Sequence, residues 1–102
     1  MPFFTVDMKF GMPTEFVRPT NPSEDLLFLA MEELVDKYNG AAIHADYGTR
    51  EMRVFIEIFA LTHLGAKYRA RRIFQHTIKS TLPNFYFKPT SRPNARLFVP
   101  TS

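Results

Sequence analysis

The 102-residue sequence contains no cysteine and only four glycines. Without cysteine the chain can form neither a disulfide framework nor a thiolate metal site, which excludes cysteine-based zinc fingers. A phosphate-cradling glycine loop, a G-x-S-x-G motif and a nucleophilic cysteine are also absent from the sequence. The common catalytic signatures that residue spacing can reveal are therefore missing.

Long apolar runs are also missing. No stretch approaches 18 apolar residues, and the N-terminus lacks the basic, apolar and small-residue order of a secretory leader. We therefore expect no membrane span and a cytoplasmic location. Hydrophobic residues make up 45% of the chain and include eleven phenylalanines, enough for a packed core. A chain of this length predicts one domain, 1–102, with a long loop at 11–22 and an irregular C-terminal segment at 89–102.

Acidic residues do not occur in the second part of the chain. Ten carboxylates against five basic residues give residues 1–57 a net charge of −5, whereas residues 58–102 carry eight basic residues and no acid. This separation indicates either a basic surface for an anionic partner or charges that neutralise each other within the fold or across a dimer. Both interpretations stay open on the sequence alone.

Alternation of apolar and polar residues predicts a series of β-strands. Gly48-Thr49 has the glycine-first pattern of a two-residue hairpin turn, which would join the second and third strands. Strands are expected at 3–10, 41–47 and 50–60, and shorter ones near the C-terminus at 85–88 and 96–99.

Two amphipathic helices are predicted between these strands. Asn21 is suited to cap the first helix and Asn39-Gly40 to end it. The second helix is expected to begin at His63 or Leu64 and to end at Thr81, because Pro83 prevents its continuation. The expected inner stripes are Leu27, Met31, Leu34, Val35 and Tyr38 in the first helix, and Ala66, Ala70, Ile73, Thr77, Ile78 and Leu82 in the second.

The order strand, helix, strand, strand, helix, strand predicts an α+β fold, the ferredoxin-like βαββαβ plait with an antiparallel sheet and two helices on one face. The other sheet face would then expose aromatic residues in a patch that soluble monomers usually avoid. A homodimer through this face is the first hypothesis for what covers it. The residues expected to form this dimer or ligand face are Phe3, His44, Arg53, Phe55 and Phe59.

Two other hypotheses apply to the same sheet face. Plait domains of the RNA-recognition type stack bases on sheet aromatics, but their glycine-containing motif is absent from the segment RVFIEIF. Alternatively, an oxygen-rich metal or acid–base site could form from Asp7, His44, Asp46 and Glu57. Their spacing matches no known ligand motif, and cross-strand ion pairs with Arg53 are the simpler interpretation. We therefore predict no metal and no cofactor.

The second helix carries a row of basic residues and no acid. Steps of three, four and three place Arg69, Arg72, His76 and Lys79 on one ridge. Lys67 and Arg71 form a neighbouring pair. Such a helix can neutralise the phosphates of nucleic acid or contact an acidic protein surface. The alternatives are a solvated face, or one whose charges are paired with the acids of the first helix, Glu32, Glu33 and Asp36.

The N-terminus adds an enzymatic alternative. Met1-Pro2 followed directly by the strand FFTVDMKF resembles the start of the tautomerase superfamily. The resemblance implies that Pro2, once freed by removal of Met1, acts as the base of an isomerase on a small acidic substrate. Arg18, Arg50 or Arg92 would hold that substrate. The interpretation favoured by the whole sequence is nevertheless a small non-enzymatic binding module.

Overall fold

The computed structural model describes residues 3–16, 25–38 and 40–97. These residues form a five-stranded antiparallel sheet and two helices, which confirms the predicted α+β class. The elements are β1 (Phe3–Gly11), α1 (Leu26–Lys37), β2 (Ala42–Asp46), β3 (Glu51–Phe59), α2 (His63–Thr81), β4 (Lys88–Pro89) and β5 (Asn94–Leu97).

The two nine-residue strands β1 and β3 form the centre of the sheet. They pair along their whole length, from Phe3 opposite Phe59 to Gly11 opposite Glu51. The strand order is β2-β3-β1-β4, and β5 pairs with β1. Since β4 pairs with the end of β1 and β5 with its beginning, both short strands lie along the same strand.

The core lies between one face of this sheet and the helices. Alternate residues of β1 and β3 are buried, as the sequence predicts, while the residues between them are exposed or half-buried. The ring of Phe74 in α2 stacks on Phe10 of β1 with 4.4 Å between centroids. Helix α1 packs beside α2 and β2. Its buried residues are Leu27, Ala30 and Leu34, and those of α2 are Ala66, Ala70, Phe74, Thr77 and Ile78.

The inner stripes differ from the prediction in two positions. Val35 was expected inside α1 but is 47% exposed, and Ala30 is fully buried in its place. In α2, Phe74 takes the buried position, and Ile73 is only partly buried. In α2 the buried position moves by one residue, from Ile73 to Phe74, because this helix packs against α1 as well as the sheet.

Capping residues explain where the helices begin and end. The Oδ1 atom of Asp25 accepts hydrogen bonds from the backbone N–H groups of Leu27 and Phe28, so α1 begins at Leu26. The start predicted at Asn21 lies outside the described residues. The helix ends at Lys37, before the predicted Asn39-Gly40, and Gly40 follows with a φ of 74°. Helix α2 has the predicted bounds, with Thr62 as its cap.

The predicted two-residue turn at Gly48-Thr49 is wrong. Four residues, 47–50, connect β2 to β3. The carboxylate of Asp46 accepts hydrogen bonds from the backbone N–H groups of Gly48 and Thr49. Arg50, with a φ of 59°, has the left-handed conformation. An aspartate that bonds the backbone two and three residues ahead stabilises this longer turn.

The C-terminal strands also differ from the prediction. Phe87 lies in the core outside any strand, so β4 is limited to Lys88–Pro89 instead of 85–88. Strand β5 begins two residues before the predicted 96–99, of which 98 and 99 lie outside the described residues. Pro89 lies opposite Phe10, and Asn94 lies opposite Asp7. The four residues 90–93 therefore lie opposite only two residues of β1, 8 and 9. This bulge separates β4 from β5.

A candidate anion-binding cleft

A cleft forms where β3 extends beyond β2. Strand β2 begins at Ala42, opposite Phe55, so residues 56–59 of β3 have no partner on that side. The bond from Met12 N–H to the Arg50 carbonyl shows that even-numbered positions of β3 bond to the β1 side. The backbone groups of Glu57 and Phe59 therefore point toward the open edge. The cleft at this edge has a volume of about 1120 Å³.

Three parts of the chain line this cleft. The end of α1 contributes Lys37 and Tyr38. The sheet contributes Glu57 and two phenylalanines, Phe3 of β1 and Phe59 of β3. The third wall is α2. Its basic residues and histidine in the cleft are Arg69, Arg72, His76 and Lys79, which we call the basic ridge. The structure thus places the whole predicted ridge in one cavity.

Within the described residues, the basic ridge has no ion-pair partner. In the part of the chain that the structure describes, the ion pairs are Lys37 with Glu33 at 3.3 Å and Arg53 with Asp7 at 2.6 Å. No ion pair joins the ridge to the acids of α1 there. Among the described residues that line the cleft, Glu57 is the single carboxylate. The cleft is therefore strongly basic, and we call it the basic cleft.

Two ridge arginines contact aromatic residues or the sheet. Arg69 donates a hydrogen bond of 2.6 Å from Nη1 to the carbonyl oxygen of Phe59. The guanidinium carbon of Arg72 lies 5.9 Å from the ring centroid of Tyr68. Both arginines are exposed, and each retains further N–H donors for a ligand.

An exposed aromatic surface lies beside the ridge. Phe3 and Phe59 are cross-strand partners whose ring centroids lie 3.5 Å apart with a tilt of 32°. Their side chains are on the sheet face that the helices leave open, with residue exposures of 39% and 46%. We call these two residues the phenylalanine pair. Together they present exposed aromatic surface at the edge of a basic cleft.

The remaining predicted residues of the sheet face form a separate group. Arg53 pairs with Asp7, and its guanidinium carbon lies 5.2 Å from the centroid of Phe55. The His44 ring approaches Phe55 edge-on at 6.0 Å. We call these four residues the Arg53 cluster. The face expected to act as one surface is thus divided between this cluster and the basic cleft.

Two predicted basic residues of α2 lie outside the cleft. Lys67 and Arg71 are half-buried and do not line it. The Nε atom of Arg71 is buried and has no hydrogen-bond partner among the described residues. These two residues belong to a different side of the helix from the basic ridge.

In the described structure, Asp7, His44, Asp46 and Glu57 do not form a metal-binding group. No group of three His, Asp or Glu residues within 3–16, 25–38 and 40–97 lies close enough to hold a metal ion. Asp7 pairs with Arg53, and Asp46 accepts the hydrogen bonds of the β2–β3 turn. Cross-strand pairing and turn geometry therefore use these carboxylates.

The residues of the enzymatic alternative are only partly described. Pro2 and Arg18 lie outside the described residues. The guanidinium of Arg50 donates to the carbonyl oxygens of Pro13 and Phe16, so it holds the chain after β1. Arg92 lies in the bulge between β4 and β5.

Sequence reasoning did not assign Lys37, Tyr38 or Glu57 to an anion-binding site. Lys37 was given no role, Tyr38 was expected in the inner stripe of α1, and Glu57 was considered for a metal or acid–base site on the open sheet face. Its position on the same strand face as Phe59, two residues away, was the signal that could have placed it beside the phenylalanine pair.

Comparison with known proteins gives no assignment, because no family model matches the chain and neither a curated protein nor a solved structure is significantly similar to it. Neither helix in the described part of the chain is both long enough and apolar enough to span a bilayer.

Proposed function

We propose that this protein is a non-enzymatic binding module whose basic cleft holds single-stranded nucleic acid. The observation that supports this most strongly is the presence of the basic ridge and the phenylalanine pair in one cleft. The ridge supplies cations for phosphates, and the pair supplies aromatic surface for bases. This combination is typical of proteins that bind single strands.

The ridge has the length needed for repeated phosphate contacts. From Arg69 to Lys79 the helix rises ~15 Å, at about 1.5 Å per residue. Its arginines and lysine carry no ion pair within the described residues, so binding a polyanion breaks no ion pair seen there. Each contact releases a counterion from the nucleic acid, which makes binding weaken as salt rises.

The phenylalanine pair favours a single strand over a duplex. Bases in a duplex are already stacked and cannot lie flat on a protein ring without unpairing. A single strand offers free base faces, and stacking on an aromatic side chain contributes about 1–3 kcal/mol per base. The exposed rings of Phe3 and Phe59 provide such a surface.

An acidic protein surface is the competing anionic partner. It would satisfy the basic ridge equally well, but it makes no specific use of the exposed aromatic surface beside it. The nucleic-acid interpretation accounts for more of the cleft.

The proposal extends to the fold and the open sheet face. Since β4 and β5 pair with the same strand and are separated by a bulge, we take them as two parts of the fourth strand of a βαββαβ plait. A second copy of the chain covering the Arg53 cluster remains our prediction for the rest of that face.

The test uses fluorescence anisotropy with a labelled single-stranded RNA 12-mer of mixed sequence. We expect binding at low salt, and a loss of affinity in the double variant Arg69→Ala/Arg72→Ala. Lys88→Ala/Arg92→Ala is the matched control, because it removes the same charge from exposed positions outside the cleft. No binding at low salt, or equal losses in both variants, would reject a nucleic-acid site in the cleft. Stronger displacement by polyglutamate than by unlabelled RNA would favour the acidic protein.

The proline-dependent isomerase is a second candidate, and one observation favours it. Phe3, the residue after Pro2, lines a cleft whose cations would suit a small acidic substrate. Intact mass spectrometry tests it directly, because a chain that keeps Met1 has no free proline amine. A mature chain that begins at Pro2 would require activity assays of a Pro2→Ala variant.

A further inference from the structure

We propose that Glu57 selects guanine in the basic cleft by accepting hydrogen bonds from the edge of a base stacked on the phenylalanine pair. This inference rests on the proposed function, because it requires a nucleobase in the cleft. It assigns the site a ligand class, a single strand that presents an unpaired guanine.

The starting observation is a carboxylate where a polyanion would bind. Glu57 is half-buried, lines the basic cleft and has no hydrogen bond or ion pair to any described residue. Its negative charge repels phosphates and lowers the general affinity for nucleic acid. A carboxylate that lowers the affinity for nucleic acid has a reason to be in the cleft if it discriminates between bases.

The strand geometry places this carboxylate beside the proposed base. Glu57 and Phe59 point to the same face of β3, and two residues along a strand span about 7 Å. Phe3, Glu57 and Phe59 all line the cleft. A base lying on the phenylalanine pair would therefore turn one edge toward Glu57.

Contact with Gly40 restricts where the carboxylate can lie. A Cβ atom built on Gly40 would be 2.4 Å from Cδ of Glu57 and 2.5 Å from its Oε1. The Glu57 side chain therefore lies directly against the backbone of Gly40, in space that any other residue at position 40 would occupy. The backbone of Gly40 thus limits the side chain on one side, which reduces the conformational freedom that it loses when it binds a ligand.

The chemistry of an ionised carboxylate favours one base. It accepts hydrogen bonds only, through two coplanar oxygens. Guanine presents two adjacent donors, N1–H and the N2 amino group, on its Watson–Crick edge. In adenine, cytosine and uracil each donor on that edge is next to an acceptor, which would face a carboxylate oxygen unfavourably. A bidentate contact with guanine is therefore the best match.

The experiment measures anisotropy of labelled eight-nucleotide RNAs, all uridine except for one central G, A, C or inosine. Wild-type protein should bind the G-containing strand about tenfold more tightly than all-uridine, the range expected for one bidentate base contact. Inosine, which lacks the N2 amino group, should fall between the two. In Glu57→Gln the preference should drop below about twofold. Affinity for all-uridine should rise, because a negative charge that repels phosphates is removed from the cleft.

A second variant separates the position of the carboxylate from its charge. Gly40→Ala would displace the Glu57 side chain but retain its charge, and it would also strain the backbone at a φ of 74°. It should therefore reduce the guanine preference without raising the affinity for all-uridine. Circular dichroism checks that both variants fold. Binding without base preference in wild type would overturn the proposed role of Glu57 but not the proposed function. A guanine preference that survives in Glu57→Gln would do the same. No binding of any strand would reject the proposed function itself.

Discussion

The guanidinium of Arg69 is hydrogen-bonded to the carbonyl oxygen of Phe59 at 2.6 Å. This contact joins the basic ridge on α2 to the open edge of β3, next to the phenylalanine pair. Because β2 is too short to pair with residues 56–59, the carbonyl is available to the arginine. The cations and the aromatic rings of the cleft are thus held in a fixed relation to each other.

Arg69→Lys tests this relation. Lysine keeps the charge but lacks the planar fork that can bond the carbonyl and a phosphate together. We expect affinity for single-stranded RNA to fall more in Arg69→Lys than in Arg72→Lys, whose arginine makes no hydrogen bond to the sheet in the described structure. Anisotropy titrations at one salt concentration compare the two. Equal affinities would show that only charge matters at position 69.

Phe59→Leu tests the stacking surface. Leucine keeps apolar character but removes the flat ring, so affinity for RNA should fall by about 1–3 kcal/mol, the contribution of one stacked base. Because Phe59 is 46% exposed, the free energy of unfolding should change little. Phe55→Leu, on the same strand face but outside the cleft, is the control and should bind RNA like wild type.

The core makes a separate prediction about stability. Phe74 is 1% exposed and stacks on Phe10, so Phe74→Ala should lower the free energy of unfolding by about 3–5 kcal/mol. Tyr68→Ala, at an exposed position of the same helix, should cost within about 0.5 kcal/mol. Urea denaturation measures both. Similar losses in the two variants would contradict the packing of α2 described above.

The homodimer predicted for the open sheet face is tested by sedimentation equilibrium. We expect a mass of twice 11.9 kDa for wild type, and dissociation in Phe55→Asp, which places a buried charge in the middle of the Arg53 cluster. Thr49→Asp, in the exposed turn, adds the same charge elsewhere as the control. A wild-type protein that stays monomeric at all concentrations would show that the cluster is not a self-association surface.

The elements that sequence reasoning placed well are those with local signals. Helix α2 has its cap at Thr62 and a proline two residues after its end, and both bounds were predicted. Strands β1 and β3 follow strict alternation, because one face of each is buried. By contrast, β4 and β5 depend on where a bulge falls opposite β1, which no local pattern in the segment specifies.

The candidate site was predictable only in pieces. The spacing of Arg69, Arg72, His76 and Lys79 identified the ridge, and strand alternation identified Phe3 and Phe59 as exposed. Their meeting in one cleft follows from the length of β2 and from the packing of α1 beside α2. These are tertiary relationships, so sequence spacing assigned the two groups to separate surfaces and left Lys37 and Glu57 out.

The salt dependence of RNA binding tests the central claim most directly. Affinities for a single-stranded 12-mer would be measured across a salt series for wild type, Arg69→Ala/Arg72→Ala and Lys88→Ala/Arg92→Ala. If both arginines contact phosphates, the logarithmic slope should become shallower by about 1.4 in the first variant, at roughly 0.7 per contact with a single strand. The control should keep the wild-type slope. Equal slopes in all three proteins would contradict a phosphate-binding role for the basic cleft.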